Sequence, residues 1–237
     1  RAAPRALRGV GLLAAGACLL ALAWSLRHRN FALGDSAHLI QSLTLYVHSE
    51  GHHVTWDEPL DLYLHSVAYR ALHAAFGTTV DRTYALLSVL AGLGYAVVAV
   101  RLAARWSRDA ATGVVVVALL ASTASVQLFF GYVESYTLVA LAAVVYVALA
   151  CDALEGRRGV LAPAAALGVG IALHVLAGWL LPSLVWVAWR RRAPGDALRW
   201  MGPAVVGVAL PVAATVAGLA AAGVPLAAVQ DTHLAHL

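Results

Sequence analysis

Long apolar runs, separated by short clusters of charged residues, dominate the pattern of this chain. A helix of about 20 apolar residues is long enough to cross the roughly 30 Å of hydrocarbon in a bilayer. The pattern therefore predicts an all-α fold, a polytopic bundle of transmembrane helices in a multi-pass protein. The predicted membrane segments are 9–26, 83–104, 111–130, 136–151, 160–189 and 200–222.

The segment 160–189 is long for one helix, and three arginines, Arg190, Arg191 and Arg192, follow it. Because arginine-rich loops face the cytoplasm, this cluster shares a side with the others only if the segment is a hairpin with its tip near residues 174–178. Each arm then has about 15 residues and is short or tilted for a crossing. With the hairpin the chain crosses the membrane about seven times, whereas a single helix would invert everything that follows.

The arginines set the predicted orientation. The net charge of +4 comes from arginine alone, since the chain has no lysine. Twelve of the 16 arginines fall in segments that this topology places inside, and the other four are spread over the loop 27–82. The positive-inside rule then predicts a cytoplasmic amino terminus and an extracytoplasmic loop. We expect a plasma-membrane protein and interpret the arginine clusters as topology signals, not as a nucleic-acid site.

The loop 27–82 contains two segments with amphipathic helical spacing, which predicts helices on the membrane surface. One face of each segment is apolar: Leu39, Leu43 and Tyr46 in the first, and Leu60, Leu64, Val67 and Ala71 in the second. Composition excludes an ordinary soluble domain, because 62% of the residues are hydrophobic and 12% are charged. A soluble domain of this composition would expose more apolar surface than it could bury.

The predicted topology collects the reactive side chains on the outer side. All ten histidines and seven or eight of the twelve acids fall there. The cytoplasmic loops hold little besides arginine. A catalytic function would therefore face outward.

Asp35 follows the first predicted helix in the sequence Leu33-Gly34-Asp35-Ser36. Glycine permits a tight backbone there, and a carboxylate at the membrane interface is suited to act as a general base. Alternatively, Asp35 or Ser36 caps a helix that begins near Ala37. Both roles remain open, and they do not exclude each other.

Asp57 and Glu58 form a second acidic pair, directly before Pro59. The simpler interpretation is that acids are favoured at the amino terminus of a helix by its dipole, and substrate binding is the alternative. Asp61 and His65 lie one helical turn apart. They either orient each other or belong to a solvated helix face.

Glu134 and His174 are polar residues beside or within apolar segments. A carboxylate between two membrane spans is either exposed in a loop or turned toward a polar cavity, and we favour the cavity. For His174 the alternatives are a similar cavity and a hydrogen bond between packed helices.

A metal site has weak support. His48, His52 and His53 stand close to Glu50, and imidazole suits zinc, but Gly51 interrupts the helix and no HExxH signature is present. We therefore predict no metal ligand and no certain cofactor, and a divalent-metal requirement stays open. The sequence also lacks a glycine-rich phosphate loop and a GxSxG motif, which argues against nucleotide hydrolysis and serine acyl transfer.

Three stretches together carry a resemblance to a known family. They are Gly34-Asp35-Ser36; then Pro59-Leu60-Asp61-Leu62-Tyr63-Leu64-His65 with Phe76-Gly77, Arg82, Leu90-Ala91-Gly92 and Arg101-Leu102-Ala103-Ala104-Arg105; and Leu167-Gly168-Val169-Gly170-Ile171-Ala172-Leu173-His174 with Leu181-Pro182 and Arg190-Arg191-Arg192. In this order and spacing the chain resembles the GT-C superfamily of membrane glycosyltransferases, particularly bacterial protein O-mannosyltransferase-like proteins that use polyprenyl-phosphate sugars. It departs from the family at Ser36, where relatives often have glutamate.

The resemblance implies an inverting glycosyltransferase of the cell envelope. It would move a sugar from a polyprenyl-phosphate donor to a protein, lipid or glycan acceptor at the extracytoplasmic face, with Asp35 as catalytic base and membrane lipid as its other partner. The expected substrate-binding residues are Glu134, His174, Arg70, Arg82, Asp57, Glu58 and His65. We expect residues 1–237 to form a single GT-C-like domain and, since the chain begins at Arg1 and not at methionine, to be an amino-terminal fragment.

A transporter or channel is the alternative, in which Glu134, His174 and the outer histidines would line a proton or metal pathway. Such a pathway needs polar residues along its whole length, yet the cytoplasmic halves of the predicted spans contain almost none. No paired broken helices indicate an inverted repeat. A noncatalytic membrane assembly subunit is the other alternative.

Overall fold

The computed structural model describes residues 5–31, 34–48, 54–191 and 197–224. Within these ranges the chain forms α-helices joined by short turns, two 3₁₀ helices and no β-strand. The α-helices are α1 (Arg5–Ser25), α2 (Ser36–His48), α3 (Pro59–Phe76), α4 (Val80–Trp106), α5 (Ala110–Ala121), α6 (Tyr136–Leu154), α7 (Leu161–Leu173), α8 (Leu181–Arg190) and α9 (Ala197–Ala221). The 3₁₀ helices are Ala124–Phe129 and Val175–Leu180.

Among the described residues, three helices are long and apolar enough to cross a membrane: α4, α6 and the Met201–Ala221 part of α9. The shorter apolar segments are Ala14–Ser25, Ala110–Ala121, Leu161–Leu173 and Val175–Arg190. The structure thus confirms an all-α fold with helices suited to a membrane. Seven crossings and their orientation stay predictions.

The predicted span 111–130 is not one helix. α5 ends at Ala121, and the hydroxyls of Ser122 and Thr123 donate to backbone carbonyls three residues earlier, at 2.9 and 3.0 Å. Side chains that bond to nearby carbonyls compete with helical hydrogen bonds and favour a turn. A 3₁₀ helix follows, so the prediction of a continuous span was wrong here.

The segment 160–189 is divided at His174, whose extended backbone (φ −156°, ψ 129°) ends α7. The chain reverses through the second 3₁₀ helix, and the end of α8 brings Arg191 against Gly156, in the turn that precedes α7. The predicted hairpin is therefore present. Its arms, α7 and α8, have 13 and 10 residues.

α7 and α9 pack closely because each presents a glycine to the other. A Cβ at residue 168 would lie 2.6 Å from the carbonyl oxygen of Val208, and a Cβ at residue 207 would lie 2.5 Å from the Cβ of Ala164. Only glycine at Gly168 and Gly207 permits this approach. Small residues of this kind bring helix backbones together in membranes, where apolar association alone gives little driving force.

α2 packs across one end of the bundle through the face that its pattern predicts. Leu39 and Leu43 are buried in a core that includes Leu62 of α3, Tyr84 of α4 and Val133. This contact holds α2 and α3 against the start of α4. The two helices of the segment 27–82, α2 and α3, thus pack against the rest of the bundle.

α3 differs from α2 because it buries its polar face. Its apolar residues Leu64 and Val67 are 39% and 42% exposed, whereas Asp61 and His65 are buried. The apolar face is therefore exposed, and polar side chains pack against the bundle. The alternative that Asp61 and His65 belong to a solvated face was wrong.

The bundle has two chemically different ends, joined by the 27 residues of α4. The carboxylate end holds Asp35, Glu58, Asp61, Glu134 and His174, and the arginine end holds Arg101, Arg105, Arg157, Arg158 and Arg191. Exposed tryptophans stand near both ends: Trp56 and Trp179 near the first, and Trp106 and Trp189 near the second. Two such belts are typical of the interfaces of a membrane protein.

Candidate functional site at the carboxylate end

Asp35 is held by a contact between its turn and a distant glutamate. Its backbone N–H donates to Oε1 of Glu134 at 3.1 Å. Gly34 has a left-handed backbone (φ 66°), and a Cβ at this position would overlap the same Glu134 oxygen. Only glycine fits here, because it tolerates the positive φ and leaves room for the carboxylate.

The side chain of Asp35 is exposed, directly before α2. Its carbonyl accepts the Leu39 N–H at 2.9 Å, which is the first hydrogen bond of that helix. Asp35 therefore occupies the capping position, as one interpretation of the sequence predicted. The hydroxyl of the next residue, Ser36, donates to the Val133 carbonyl at 2.8 Å. The turn is thus fastened to the 131–135 segment at two points, with the Asp35 carboxylate facing out.

Glu134 is buried, with 6% of its surface exposed. Its Oε2 atom has no hydrogen-bond partner among the described residues. Burial raises the pKa of this carboxyl, the Asp35 N–H lowers it, and the nearby carboxylates of Asp35 and Glu58 raise it further. Glu134 is therefore buried near other acids and not exposed in a loop, and the polar cavity stays a prediction.

Glu58 connects the start of α3 with the tip of the α7–α8 hairpin. Its Oε1 accepts a hydrogen bond from the Ser135 hydroxyl at 2.8 Å and lies 3.4 Å from Nε2 of His174. Nδ1 of His174 accepts the Leu176 N–H at 3.2 Å. Since Nδ1 is an acceptor, Nε2 carries the proton in the neutral ring, and this atom is the one within ion-pair distance of Glu58.

Two further contacts hold this junction. The Val175 N–H donates to the backbone carbonyl of Asp57 at 2.9 Å, so Asp57 acts here through its backbone. The ring of Tyr136 stacks on His174 with the centroids 5.0 Å apart. The break in the membrane segment at His174 thus serves to place an imidazole against Glu58.

Asp61 and His65 form a fully buried pair, with 0% and 1% of their surfaces exposed. Nδ1 of His65 lies 2.9 Å from the Asp61 carbonyl and 3.1 Å from Asp61 Oδ2. The imidazole stacks on Tyr84 with a centroid distance of 3.9 Å. The prediction that Asp61 and His65 orient each other is therefore supported by their geometry.

The Asp61–His65 pair makes too few hydrogen bonds to offset the cost of burying its polar groups. Neither carboxylate oxygen of Asp61 makes a hydrogen bond within the described part of the chain, although Oδ2 lies 3.1 Å from Nδ1 of His65. Burial raises the pKa of Asp61 by more than His65 lowers it. For His65, burial lowers the pKa of the imidazole, but the Asp61 and Glu58 carboxylates and the hydrogen bonds to Asp61 together raise it by more, so the net pKa lies above the ordinary value. Such perturbed groups concentrate at functional sites.

Some of the predicted site residues interact with one another, and others do not. The charged groups that act on Asp61, His65 and Glu134 are Asp35, Glu58, His174 and one another. Arg70 and Arg82 are not among them. Ser135, Tyr136 and Tyr84 were not predicted from the sequence as site residues, although the first two directly follow Glu134.

No group of three or more histidine, cysteine or acidic side chains suited to a metal ion occurs in the described ranges. His52, His53 and Glu50 lie outside those ranges.

An apolar groove of about 360 Å³ lies between α1, α4, α5 and the 3₁₀ helix Ala124–Phe129. Gly92 admits the Phe129 side chain, since a Cβ at residue 92 would lie 2.6 Å from the Cβ of Phe129. One end of the groove is at Phe130, whose carbonyl accepts the His28 N–H at 2.8 Å. Glu134 follows four residues later, so the groove leads to the carboxylate end.

Arg27 stands beside this end of the groove. Its Nη1 donates to the Trp24 carbonyl at 3.0 Å, and the guanidinium lies 4.5 Å from the centre of the Trp24 ring. Its Cβ lies 2.8 Å from where a Cβ at Gly131 would be. The arginine is thus positioned between the groove and the 131–135 segment.

Comparison with protein-family models, curated proteins and solved structures gave no significant match to this chain.

Proposed function

We propose that this protein transfers a sugar from a polyprenyl-phosphate donor to an acceptor, with inversion at the anomeric carbon, at the membrane face where the carboxylate end lies. One observation carries the proposal. Asp35 presents an exposed carboxylate on a turn that Glu134 fixes, and Phe130, four residues before Glu134, lines one end of an apolar groove. A lipid donor and a polar acceptor can meet at such a position.

In this reaction the acceptor hydroxyl gives its proton to Asp35. The acceptor oxygen forms a bond to the anomeric carbon while the bond from that carbon to the phosphate oxygen breaks. The polyprenyl phosphate leaves with the electron pair. A phosphate leaving group needs little protonation, so one base suffices and the remaining task is to hold the phosphate charge.

The apolar groove supports the lipid part of the proposal. Its walls come from α1, α4, α5 and the 3₁₀ helix Ala124–Phe129, and Arg27 lies against Gly131, next to the lining residue Phe130. Arginine is suited to phosphate because its planar donors can bind two oxygens at once. Arg27 is therefore a better candidate for the donor phosphate than Arg70 or Arg82, which the sequence pattern suggested.

The buried acids support the polar part. Glu134 positions the Asp35 turn through one carboxylate oxygen and keeps the second without a partner among the described residues. The Glu58–His174 pair stands beside it. In the proposed reaction Asp35 is the base, Glu134 is a positioning residue, and Glu58 with His174 orients the acceptor.

The test is transfer of radiolabelled sugar from a panel of polyprenyl-phosphate donors in membranes that contain the full chain. Asp35→Asn keeps the backbone contacts of the turn and removes the base. Loss of a general base is expected to lower the transfer rate by about 10²- to 10⁴-fold. Unchanged transfer would remove Asp35 as base, and absence of transfer by the wild type with every donor would contradict the glycosyltransferase itself.

Asp81→Asn is the matched control. Asp81 lies in the first turn of α4, at the same end of the bundle, and takes no part in the contacts of Asp35 or Glu134. The same change of charge there is expected to leave transfer at the wild-type level. Equal loss in both variants would indicate a general charge effect and not a base at Asp35.

The transporter alternative gains no support from the packing. Buried polar side chains concentrate at the carboxylate end, whereas the core between α6, α7 and α8 is formed by residues such as Leu167, Leu184 and Val187. A proton or metal pathway needs polar groups along its length. The arrangement favours chemistry at one face of the membrane.

A further inference from the structure

A second cavity lies at the arginine end, between α4 and α6, and has a volume of about 700 Å³. Its deeper wall is apolar and includes Val98, Val145 and Leu149. Its rim is charged and consists of Arg101, Arg105, Asp152, Arg157 and Arg158. We call this cavity the arginine pocket.

The pocket carries an excess of positive charge. Arg105 pairs with Asp152 at 2.6 Å and with Glu155. Arg157 pairs with the same two acids, and Arg158 lies 3.5 Å from Asp152. Four arginines and two acids leave two positive charges in excess.

The excess resides on accessible side chains. Arg158 is 57% exposed. Arg101 is exposed as well, and no ion pair joins it to an acid of the described ranges. Because Arg105 is held by two acids, it secures α4 to α6, whereas Arg101 and Arg158 keep donors for a ligand.

The shape of the pocket selects the ligand. It opens between two helices that are long and apolar enough to span a membrane. A soluble anion would touch only its rim, but a phospholipid brings a phosphate for the arginines and an acyl chain for the wall below. Basic pockets between membrane helices bind anionic lipid headgroups in this way.

We propose that the arginine pocket binds an anionic phospholipid of the adjacent leaflet, with its headgroup phosphate on Arg101 and Arg158 and an acyl chain along Val98, Val145 and Leu149. The site is separate from the carboxylate end and does not depend on the proposed glycosyl transfer. Its selectivity comes from the net positive rim, which favours an anionic over a zwitterionic headgroup.

The test is equilibrium binding of radiolabelled phosphatidylglycerol to the purified full chain in mixed micelles of phosphatidylcholine and detergent. The double variant Arg101→Gln/Arg158→Gln removes the two accessible charges and keeps the Arg105 pairs that hold the helices. It is expected to weaken binding by about a hundredfold, because the headgroup loses two charge-assisted hydrogen bonds, each worth at least about tenfold in affinity. Circular dichroism and size-exclusion chromatography report whether the variant remains folded.

Arg108→Gln is the matched control, because Arg108 is exposed in the turn after α4 and does not line the pocket. It is expected to bind phosphatidylglycerol like the wild type. Equal weakening by Arg108→Gln would reduce the effect to general charge attraction and overturn the proposal. Wild-type affinity in the folded double variant, or equal affinity of the wild type for labelled phosphatidylcholine, would overturn it as well.

Discussion

The two ends of the bundle both concentrate charge, but they compensate it differently. At the carboxylate end, Asp61 and Glu134 are buried and each keeps an oxygen without a hydrogen-bond partner in the described part of the chain. At the arginine end, the single carboxylate of Asp152 lies within ion-pair distance of three arginines. The carboxylate end therefore holds buried acids with too few hydrogen-bond partners, whereas the arginine end holds accessible charges with several ion-pair partners.

This difference indicates that the charged residues at the two ends have different roles. Burial of a polar group without full hydrogen bonding costs stability, so the carboxylate end is not arranged for stability alone. Exposed ion pairs contribute little to stability, so the accessible arginines at the other end are available for contacts with the membrane. Catalytic residues are therefore sought at the first end and lipid contacts at the second.

Removal of one partner from the buried pair is expected to have the largest effect. His65→Leu leaves Asp61 buried without its imidazole, which is expected to lower the free energy of unfolding by about 3–5 kcal/mol. Denaturant unfolding in detergent micelles measures it. Asp61→Leu added to His65→Leu is expected to restore most of the loss, since an apolar pair replaces an uncompensated charge. A double variant no more stable than His65→Leu would refute this account of the pair.

The turn at Gly34 is expected to show the next largest effect. Gly34→Ala and Gly77→Ala both place alanine at a positive φ, 66° and 62°, which costs about 1–2 kcal/mol each. Only at residue 34 does the added Cβ overlap a side chain, that of Glu134, whereas nothing lies within 4 Å at residue 77. Gly34→Ala should therefore be the less stable variant and also lose sugar transfer. Equal stability and full activity of both variants would show that the Glu134 contact does not position Asp35.

A pH titration of stability tests the carboxylate end in a third way. The folded-state pKa of His65 lies above its ordinary value of 6.5 because of Asp61. Below 6.5 the imidazole is protonated in both the folded and the unfolded state, and its stabilisation is fully present. Above that value the unfolded chain releases the proton first, so stability falls until the pH passes the folded-state pKa.

The raised pKa of Asp61 acts in the same direction at lower pH, because the folded state retains that proton too. The midpoint of thermal unfolding should therefore decrease as the pH rises above 6.5, the ordinary imidazole pKa. Asp61→Asn should make this decrease smaller. A steeper decrease in Asp61→Asn would reverse the sign of the interaction and contradict the assignment.

The smallest effect is expected at the arginine end. Arg157 pairs with Asp152 and Glu155 but is 51% exposed. Arg157→Gln is expected to change the free energy of unfolding by less than about 1 kcal/mol, as exposed ion pairs do. The same denaturant titration measures it. A loss as large as that of His65→Leu would erase the distinction between the two ends.

The sequence predicted the reversal at His174 and the buried position of Glu134 for a simple physical reason. A polar residue in an apolar segment, followed by an arginine cluster, leaves few arrangements that keep both groups solvated or paired. The turn at Gly34 was equally accessible, because glycine before an acid at the end of an apolar run indicates a tight backbone.

Other features depend on contacts between distant segments. The spacing in α3 identified both an apolar and a polar face, but which face is buried depends on Tyr84 and on the lipid, neither of which is encoded in α3 itself. The break at Ser122 and Thr123 depends on local hydroxyl hydrogen bonds within a run that otherwise has the composition of one span. Arg27 was not selected because its role depends on the groove, which forms only when α1 packs on α4.

The glycine contact between α7 and α9 has a consequence for biogenesis. α7 has 13 residues, about 20 Å of helix at 1.5 Å per residue, which is less than the thickness of the hydrocarbon layer. In the predicted topology such a short arm is not stably integrated alone, and its partner through Gly168 and Gly207, α9, is synthesised later. We therefore expect the hairpin to depend on α9 for its place in the membrane.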